Sequence, residues 1–328
     1  MIDRLNLYLL ITIIVLLAMA CTLGSTSLPL DTVLKALFGQ GDELDVAVIW
    51  EVRLPRALAA VAVGAALGFS GAALQGLLRN PLAEPGVLGV SASAALMATF
   101  TIYYGLASMW HYAVPISAIG GALLATALIV FVVRYAQSIV ALILIGVGIS
   151  SFAAAMMSLL LNFAPHPFSL NDMISWTLGS VANRSFDDLL LVLPFLAIGM
   201  TILWLTRSGL SVLTFGEEAA QGVGLNVQAQ RRWVTVGAGI CTGASVALAG
   251  AIGFVGIIAP HLVRPWVHHD AARTLLPSAL LASALVLLAD IVIRVLPTTT
   301  ELKLGVAAAI FGAPIFVWIA IQRGRNAR

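Results

Sequence analysis

The stretch from Pro85 to Val133 contains no Asp, Glu, Lys or Arg. A soluble fold, which must show polar groups to water along every element, has no use for such a run. It is long enough to cross a bilayer twice, since one spanning helix needs about 20 apolar residues. The rest of the chain repeats the pattern. Of its 328 residues, 60% are hydrophobic and only 10% are charged, against about 25% charged in a soluble domain. The solvent of this fold is therefore lipid. A formal net charge of +2 offers no footing for nucleic acid, and none is expected as a partner.

Cutting the chain at its charges gives about ten spans. The first lies in Leu5–Leu30 and the second is Ala57–Leu78. Pro85–Val133 holds two, divided at the interfacial aromatic turn Tyr103-Tyr104-Gly105 to Trp110-His111-Tyr112. Tyr135–Phe163, Leu189–Thr206 and Trp233–Ala251 follow. Phe254–Trp266, short and interrupted by Pro260, is the weakest of the set, and Leu275–Ile293 and Leu304–Ile321 complete it. Ala18-Met19-Ala20-Cys21 faintly resembles a lipoprotein cleavage box, but the segment around it is read as a retained first helix. The expected fold is an all-α membrane protein, a single permease domain over 1–328 with both termini cytoplasmic.

Charge placement supports that orientation. Outside it leaves Lys35, Arg53, Arg56, Arg184, Arg294 and Lys303. The more numerous inner set includes Arg4, Arg79, Arg134, Arg207, Arg231, Arg232, Arg264 and Arg273, as the positive-inside rule requires. Gly64, Gly68 and Gly71, and Gly239, Gly243, Gly250 and Gly253, would let helices approach closely. Gly146 and Gly148 could instead free a helix to bend. The run Gly64-Ala65 to Pro81 also superposes at constant offset on Gly243-Ala244 to Pro260, which suggests an inverted internal repeat.

Several chemistries find no support. No Ser/His/Asp set, His-Glu-x-x-His motif or cysteine cluster is present, so no catalytic residue is assigned and the chain is read as no enzyme. Cys21 and Cys241 read as small core residues. His261 stands alone and His268 and His269 are adjacent, so no metal site is assigned. An ion-coupled secondary transporter, the alternative reading, needs ionisable groups deep in the membrane. Asp290 is the one acid inside a predicted span, near its end and four residues from Arg294. No Walker pattern occurs, so ATP is not bound by this chain in that way.

Certain segments are more specific. Arg53-Leu54-Pro55-Arg56 leads into Gly64-Ala65-Ala66-Leu67-Gly68, then Gln75-Gly76, then Arg79-Asn80-Pro81-Leu82-Ala83-Glu84-Pro85-Gly86-Val87-Leu88-Gly89. Trp176-Thr177-Leu178-Gly179-Ser180, Gly253-Phe254-Val255-Gly256 to Pro260-His261-Leu262-Val263-Arg264, and Gly305 to Gly312-Ala313-Pro314 follow in order. Over nearly its whole length the chain resembles the iron-chelate and cobalamin permease family (FecCD-like), the transmembrane subunits of type II ATP-binding-cassette importers.

The resemblance implies a bacterial inner-membrane, multi-pass permease. Its cargo would be a ferric siderophore, haem or cobalamin. Its partners would be a cytoplasmic ATPase dimer carrying ATP and Mg, a second permease subunit, most simply in a homodimer, and a periplasmic or extracellular substrate-binding protein. No cofactor is expected on this chain. The resemblance further implies that the loop 207–232 couples to the ATPase, with Phe215, Gly216, Glu217, Glu218, Ala219, Ala220, Gly222 and Gly224 at the contact, as two short helices broken by glycine. It implies that Arg53, Arg56 and Arg294 receive carboxylates of the binding protein. Interfacial anchoring of Arg53 and Arg56 and an Asp290–Arg294 ion pair remain open as alternatives. It also implies a cytoplasmic gate at Asn80, Pro81 and Leu82 with Ile139 and Val140, the latter two apolar where the cobalamin permease is polar.

Overall fold

The computed structural model describes residues 2–24, 26–136, 139–297 and 301–326, with side chains except at 133–136, 139, 320 and 322–326. Among the described residues every regular element is helical. The α-helices are α1 (Ile2–Thr22), α2 (Leu30–Leu37), α3 (Glu43–Ala47), α4 (Leu54–Leu78), α5 (Val90–Tyr103), α6 (Leu106–Met109), α7 (Ala113–Ala136) and α8 (Ile139–Asn162). They continue as α9 (Pro167–Leu178), α10 (Phe186–Leu205), α11 (Arg207–Leu213), α12 (Glu217–Gly222), α13 (Val227–Ala249), α14 (Val255–Val263), α15 (Ala271–Val295) and α16 (Leu304–Asn326). Seven helices are long and apolar enough to span, and α5 and the stretch Leu304–Ile319 of α16 are shorter apolar segments. With the nine-residue α14, a helix stands at each of the ten places marked out by charge, seven of them long enough to span.

The second span departs most from expectation. A π-helical segment, Val48–Arg53, joins α3 to α4, so one 36-residue rod runs from Glu43 to Leu78. Cutting at Glu51, Arg53 and Arg56 hid its first third. Those charges sit on the helix because Arg53 and Arg56 find partners inside the protein. The first span is shorter than its apolar run: α1 stops at Thr22, and Leu30–Leu37 forms the separate α2.

Helices in lipid gain no hydrophobic energy by meeting, so close packing of small residues must hold them together. The face Gly64, Gly68 and Gly71 of α4 shows this. A Cβ at Gly64 would lie 2.5 Å from the Cα of Ser283, one at Gly68 would strike the Ser278 carbonyl of α15, and one at Gly71 the Gly256 carbonyl of α14. On α13, Gly239 abuts Thr126 and Gly243 abuts Ala122, both of α7. Gly253 and Gly148 face open space, and Gly146 packs on the turn at Val87 while α8 runs unbroken past it. Hydroxyls buried in spans, among them Ser70, Thr99, Thr126 and Thr242, bond back to the carbonyl four residues earlier.

The two proposed repeat copies share a long buried helix, α4 and α13. The likeness ends before the prolines: Pro81 lies in a turn, whereas Pro260 lies inside α14.

Contacts sort the helix ends into two sets. The C-terminal ends of α1 and α15 meet the N-terminal end of the α4 rod through Arg53, Arg56 and Arg294. At the other pole, Gln75 near the end of α4 meets Arg264 after α14, and Ser211 of α11 meets Asp270 before α15. This is the alternation that the charges require of an outer and an inner face.

Candidate functional site

At the outer pole, all three arginines expected to dock a partner are occupied within the chain. Arg53 is 5% exposed. It donates to the carbonyls of Cys21 at 2.7 Å, Thr22 at 3.0 Å and Thr26 at 2.6 Å. It thus satisfies acceptors left over where α1 ends, a task its fork suits and a lysine's single ammonium does not. Arg56 grips Asp290 Oδ1 through Nε at 2.9 Å and Nη2 at 2.8 Å, and also bonds Glu301. Arg294 Nε lies 3.2 Å from Asp290 Oδ2, and its Nη1 donates to Ala20 O at 3.2 Å. The helix-face ion pair left open by the sequence is therefore present. A cavity of about 350 Å³ beside this cluster is lined by Arg53, Arg56, Arg294 and Glu301.

At the inner pole, α11 and α12 form the two short helices expected, divided at Gly216 (φ 108°). The loop closes at Asn226, whose side chain caps α13 by accepting from Ala229 N at 2.9 Å, so α13 begins before Arg231 and Arg232. Glu217 bonds the buried Arg231 at 2.9 Å, which ties α12 to α13. Ala220 is buried and Leu225 N returns to its carbonyl at 2.9 Å. Glu218, Ala219, Gly222 and Gly224 stay exposed, with Phe215 82% and Val223 74% exposed. Two large apolar side chains beside a carboxylate thus project from a braced loop.

The turn after α4 is built by Arg79, in left-handed conformation at φ 48°, and by Asn80, whose Oδ1 accepts from Leu82 N at 3.0 Å. Pro81 is buried, Leu82 half-buried and Asn80 exposed. Val140 is exposed, and the Ile139 side chain lies outside the described residues. Gln75 links two of the sequence motifs: its Oε1 accepts from Arg264 at 2.8 Å and its Nε2 donates to Gly256 O at 3.3 Å.

Glu84, part of the Arg79–Gly89 motif but given no role from the sequence, proves central to this turn. Its Oε2 accepts from Phe254 N at 3.1 Å, at the N-terminus of α14. A carboxylate there suits the helix dipole. Burial nonetheless raises its pKa, and the Phe254 bond lowers it only in part. Phe254 holds a left-handed φ of 67°. Neither residue type marks such a pairing across the chain, so no local signal announced it.

A third gathering joins three motif segments at the outer ends of their helices. Ser180 N donates to Ala249 O at 2.7 Å, and Gly305 N to Gly179 O at 3.3 Å. A Cβ at Gly250 would strike Trp176 O, and one at Gly305 would strike Leu178 O. Backbones this close tolerate only glycine. Beside the junction, Trp176 and Arg184 line a second cavity of about 350 Å³. Burial lowers the pKa of Arg184, with Asp188 opposing.

Comparison with known proteins agrees with these motifs. Residues 10–322 match the model of the FecCD transport family. The chain is 35% identical over 327 residues to an uncharacterized ABC transporter permease protein of Bacillus subtilis, YvrB, covering 96% of this chain and 92% of that one. It is 38% identical over 282 residues to the vitamin B12 import system permease protein BtuC of Klebsiella pneumoniae, covering 85% and 84%. Among solved structures, one described as a metal-chelate type ABC transporter in an inward-facing conformation superposes with a TM-score of 0.86 at 31% identity, covering 98% of this chain and 99% of that one. PsaBC from Streptococcus pneumoniae, solved with a Fab, shares the fold at TM-score 0.58 and 15% identity, covering 84% and 92%.

Proposed function

The chain belongs to the FecCD transport family, and from that premise we propose that two copies of it form the membrane path of an importer for an iron chelate. It is a multi-pass inner-membrane permease subunit of an ATP-driven importer, which works with an ATPase and a substrate-binding protein. The chelate, the homodimer and the residue roles are our reading. ATP and Mg act on the partner ATPase. The neighbour of metal-chelate type and the vitamin B12 relatives support a large chelate as cargo.

The observation that carries coupling is the braced inner loop. Glu217 positions it through Arg231, while Phe215, Val223 and Glu218 face away from the bundle. A short helix with apolar knobs and a charged rim is suited to a groove on a soluble partner. Asn80, Pro81, Leu82, Ile139 and Val140 are assigned to the inner gate. For Arg53, Arg56 and Arg294, docking of a binding protein would have to act on side chains already bonded within the chain. We assign Arg53 to bracing α1, and Arg56 and Arg294 to the wall of the cavity a partner would meet.

The ion-coupled alternative loses its best candidate here. Asp290 is held between Arg56 and Arg294 and has no proton relay beside it among the described residues. Copurification tests the assignment. The tagged permease, co-expressed with its candidate partner ATPase, is expected to retain that ATPase, and Glu218→Arg to reduce its recovery at least tenfold. Glu43→Arg, on the opposite face, should leave it intact. Full recovery with Glu218→Arg would remove α12 from the contact.

A further inference from the structure

Arg184 has no hydrogen-bond partner among the described residues. Its guanidinium stacks over Trp176, 5.3 Å from the ring centroid. Its Nε is buried and unbonded. The cavity it lines also holds Lys303, Asp172, Ser175, Ser180 and Asn183. Every other buried arginine at this pole has its charge answered: Arg53 by carbonyls, Arg56 and Arg294 by Asp290. Asp188 acts on Arg184 only through space, its oxygens being taken by Ser185 and His111, and a half-buried cation with no bonded anion is costly to hold. The backbone junction at Gly179, Gly250 and Gly305 fixes Trp176, and Trp176 fixes the guanidinium plane. Among the side chains that line the cavity, Arg184 and Lys303 are cations and Asp172 is the one acid, while Asp188 acts on Arg184 from outside the lining.

We propose that this cavity is an anion subsite at the outer mouth, in which Arg184, oriented by Trp176 and aided by Lys303, receives a carboxylate of the transported chelate. Arginine's fork fits a carboxylate with two parallel bonds, and the indole offers a face to a flat, conjugated edge. The volume of about 350 Å³ is near the lower bound for enclosing a whole drug-sized ligand, roughly 300 Å³. The site therefore takes one acidic arm of a larger complex. The cargo is thereby narrowed to chelates bearing carboxylates, as against neutral hydroxamate complexes or cobalamin. This rests on the importer reading above for its cargo, though not for its chemistry.

The test is equilibrium binding to the purified permease in phosphatidylcholine nanodiscs, read as the change in the probe's own absorbance on titration. The probes are haem, with two carboxylates, and haem dimethyl ester, with none. Haem is expected to bind at least tenfold tighter than the diester, Arg184→Gln to abolish that preference, Arg184→Lys to restore part of it, and Lys303→Gln to weaken it about threefold. Equal affinities in the unaltered protein, or a preference that survives Arg184→Gln, would overturn the proposal. So would loss of the preference when phosphatidylglycerol is added, which would make a lipid phosphate the occupant. Each preparation is also assayed for ATPase recovery. Loss of the ATPase from the unaltered protein would count against the importer reading, while the affinity ratio still judges the site.

Discussion

Asp290 is 1% exposed and sits between two guanidinium groups. Removing its charge leaves Arg56 and Arg294 buried with less to answer them. Asp290→Asn is expected to destabilise the protein by about 3–5 kcal/mol, seen as a lower melting temperature in detergent. An unchanged melting temperature would mean that water already serves those arginines. Glu84 makes a prediction of opposite character. Its folded pKa lies above the ordinary value of 4.5 because it is buried. The folded state therefore binds this proton more readily than the unfolded state. Its contribution to stability is greatest below that ordinary value, falls as pH rises to the folded pKa, and is flat beyond. Glu84→Gln keeps an acceptor for Phe254 N and removes the titration. It is expected to melt with a shallower decline than the unaltered protein as pH rises above about 4.5. Parallel curves would show that Glu84 stays solvated.

At the scale of elements, the α4 rod is the piece on which the rest is assembled. Gly71→Ala would drive a methyl group into the Gly256 carbonyl, backbone against backbone, where no rotamer change gives relief. It is expected to destabilise by about 1–3 kcal/mol, the range for overpacking, with reduced yield of folded protein. Gly120→Ala, where a Cβ meets nothing within 4 Å, is the matched control and should melt as the unaltered protein does. The seven long helices were legible because apolar runs between charges are long. So were the aromatic turn, with α5 ending at Tyr103 and Gly105 at φ 69°, and the glycine-divided α11 and α12. The first third of the α4 rod was not legible. Charge marks the membrane surface in a sequence, but Arg53 and Arg56 are buried by partners as far along the chain as Cys21 and Asp290. The partners of Arg53, Arg56 and Glu84 are all made by tertiary contact, which periodicity and composition do not carry. For the same reason Glu217 and Glu218 looked alike in sequence, though Arg231 holds one and the other is exposed.

At the scale of the molecule, the two poles are built for different work. The outer pole is closed by the network of Arg53, Arg56 and Arg294, which lines one cavity, and carries a second cavity lined by Arg184. The inner pole presents a braced loop with exposed apolar side chains. Between them the bundle combines close glycine and alanine contacts, as between α4 and α15, with buried large side chains such as Leu74, Leu203, Leu248 and Leu287. This division fits a permease whose energy arrives from a soluble partner and whose own interior holds no ion relay among the described residues. The most direct test is uptake by proteoliposomes holding the permease, its ATPase and its binding protein, with an iron chelate outside and ATP within. The account predicts accumulation that requires ATP hydrolysis and persists when ionophores collapse every proton and sodium gradient. Accumulation that continues without ATP and stops with the ionophores would contradict it.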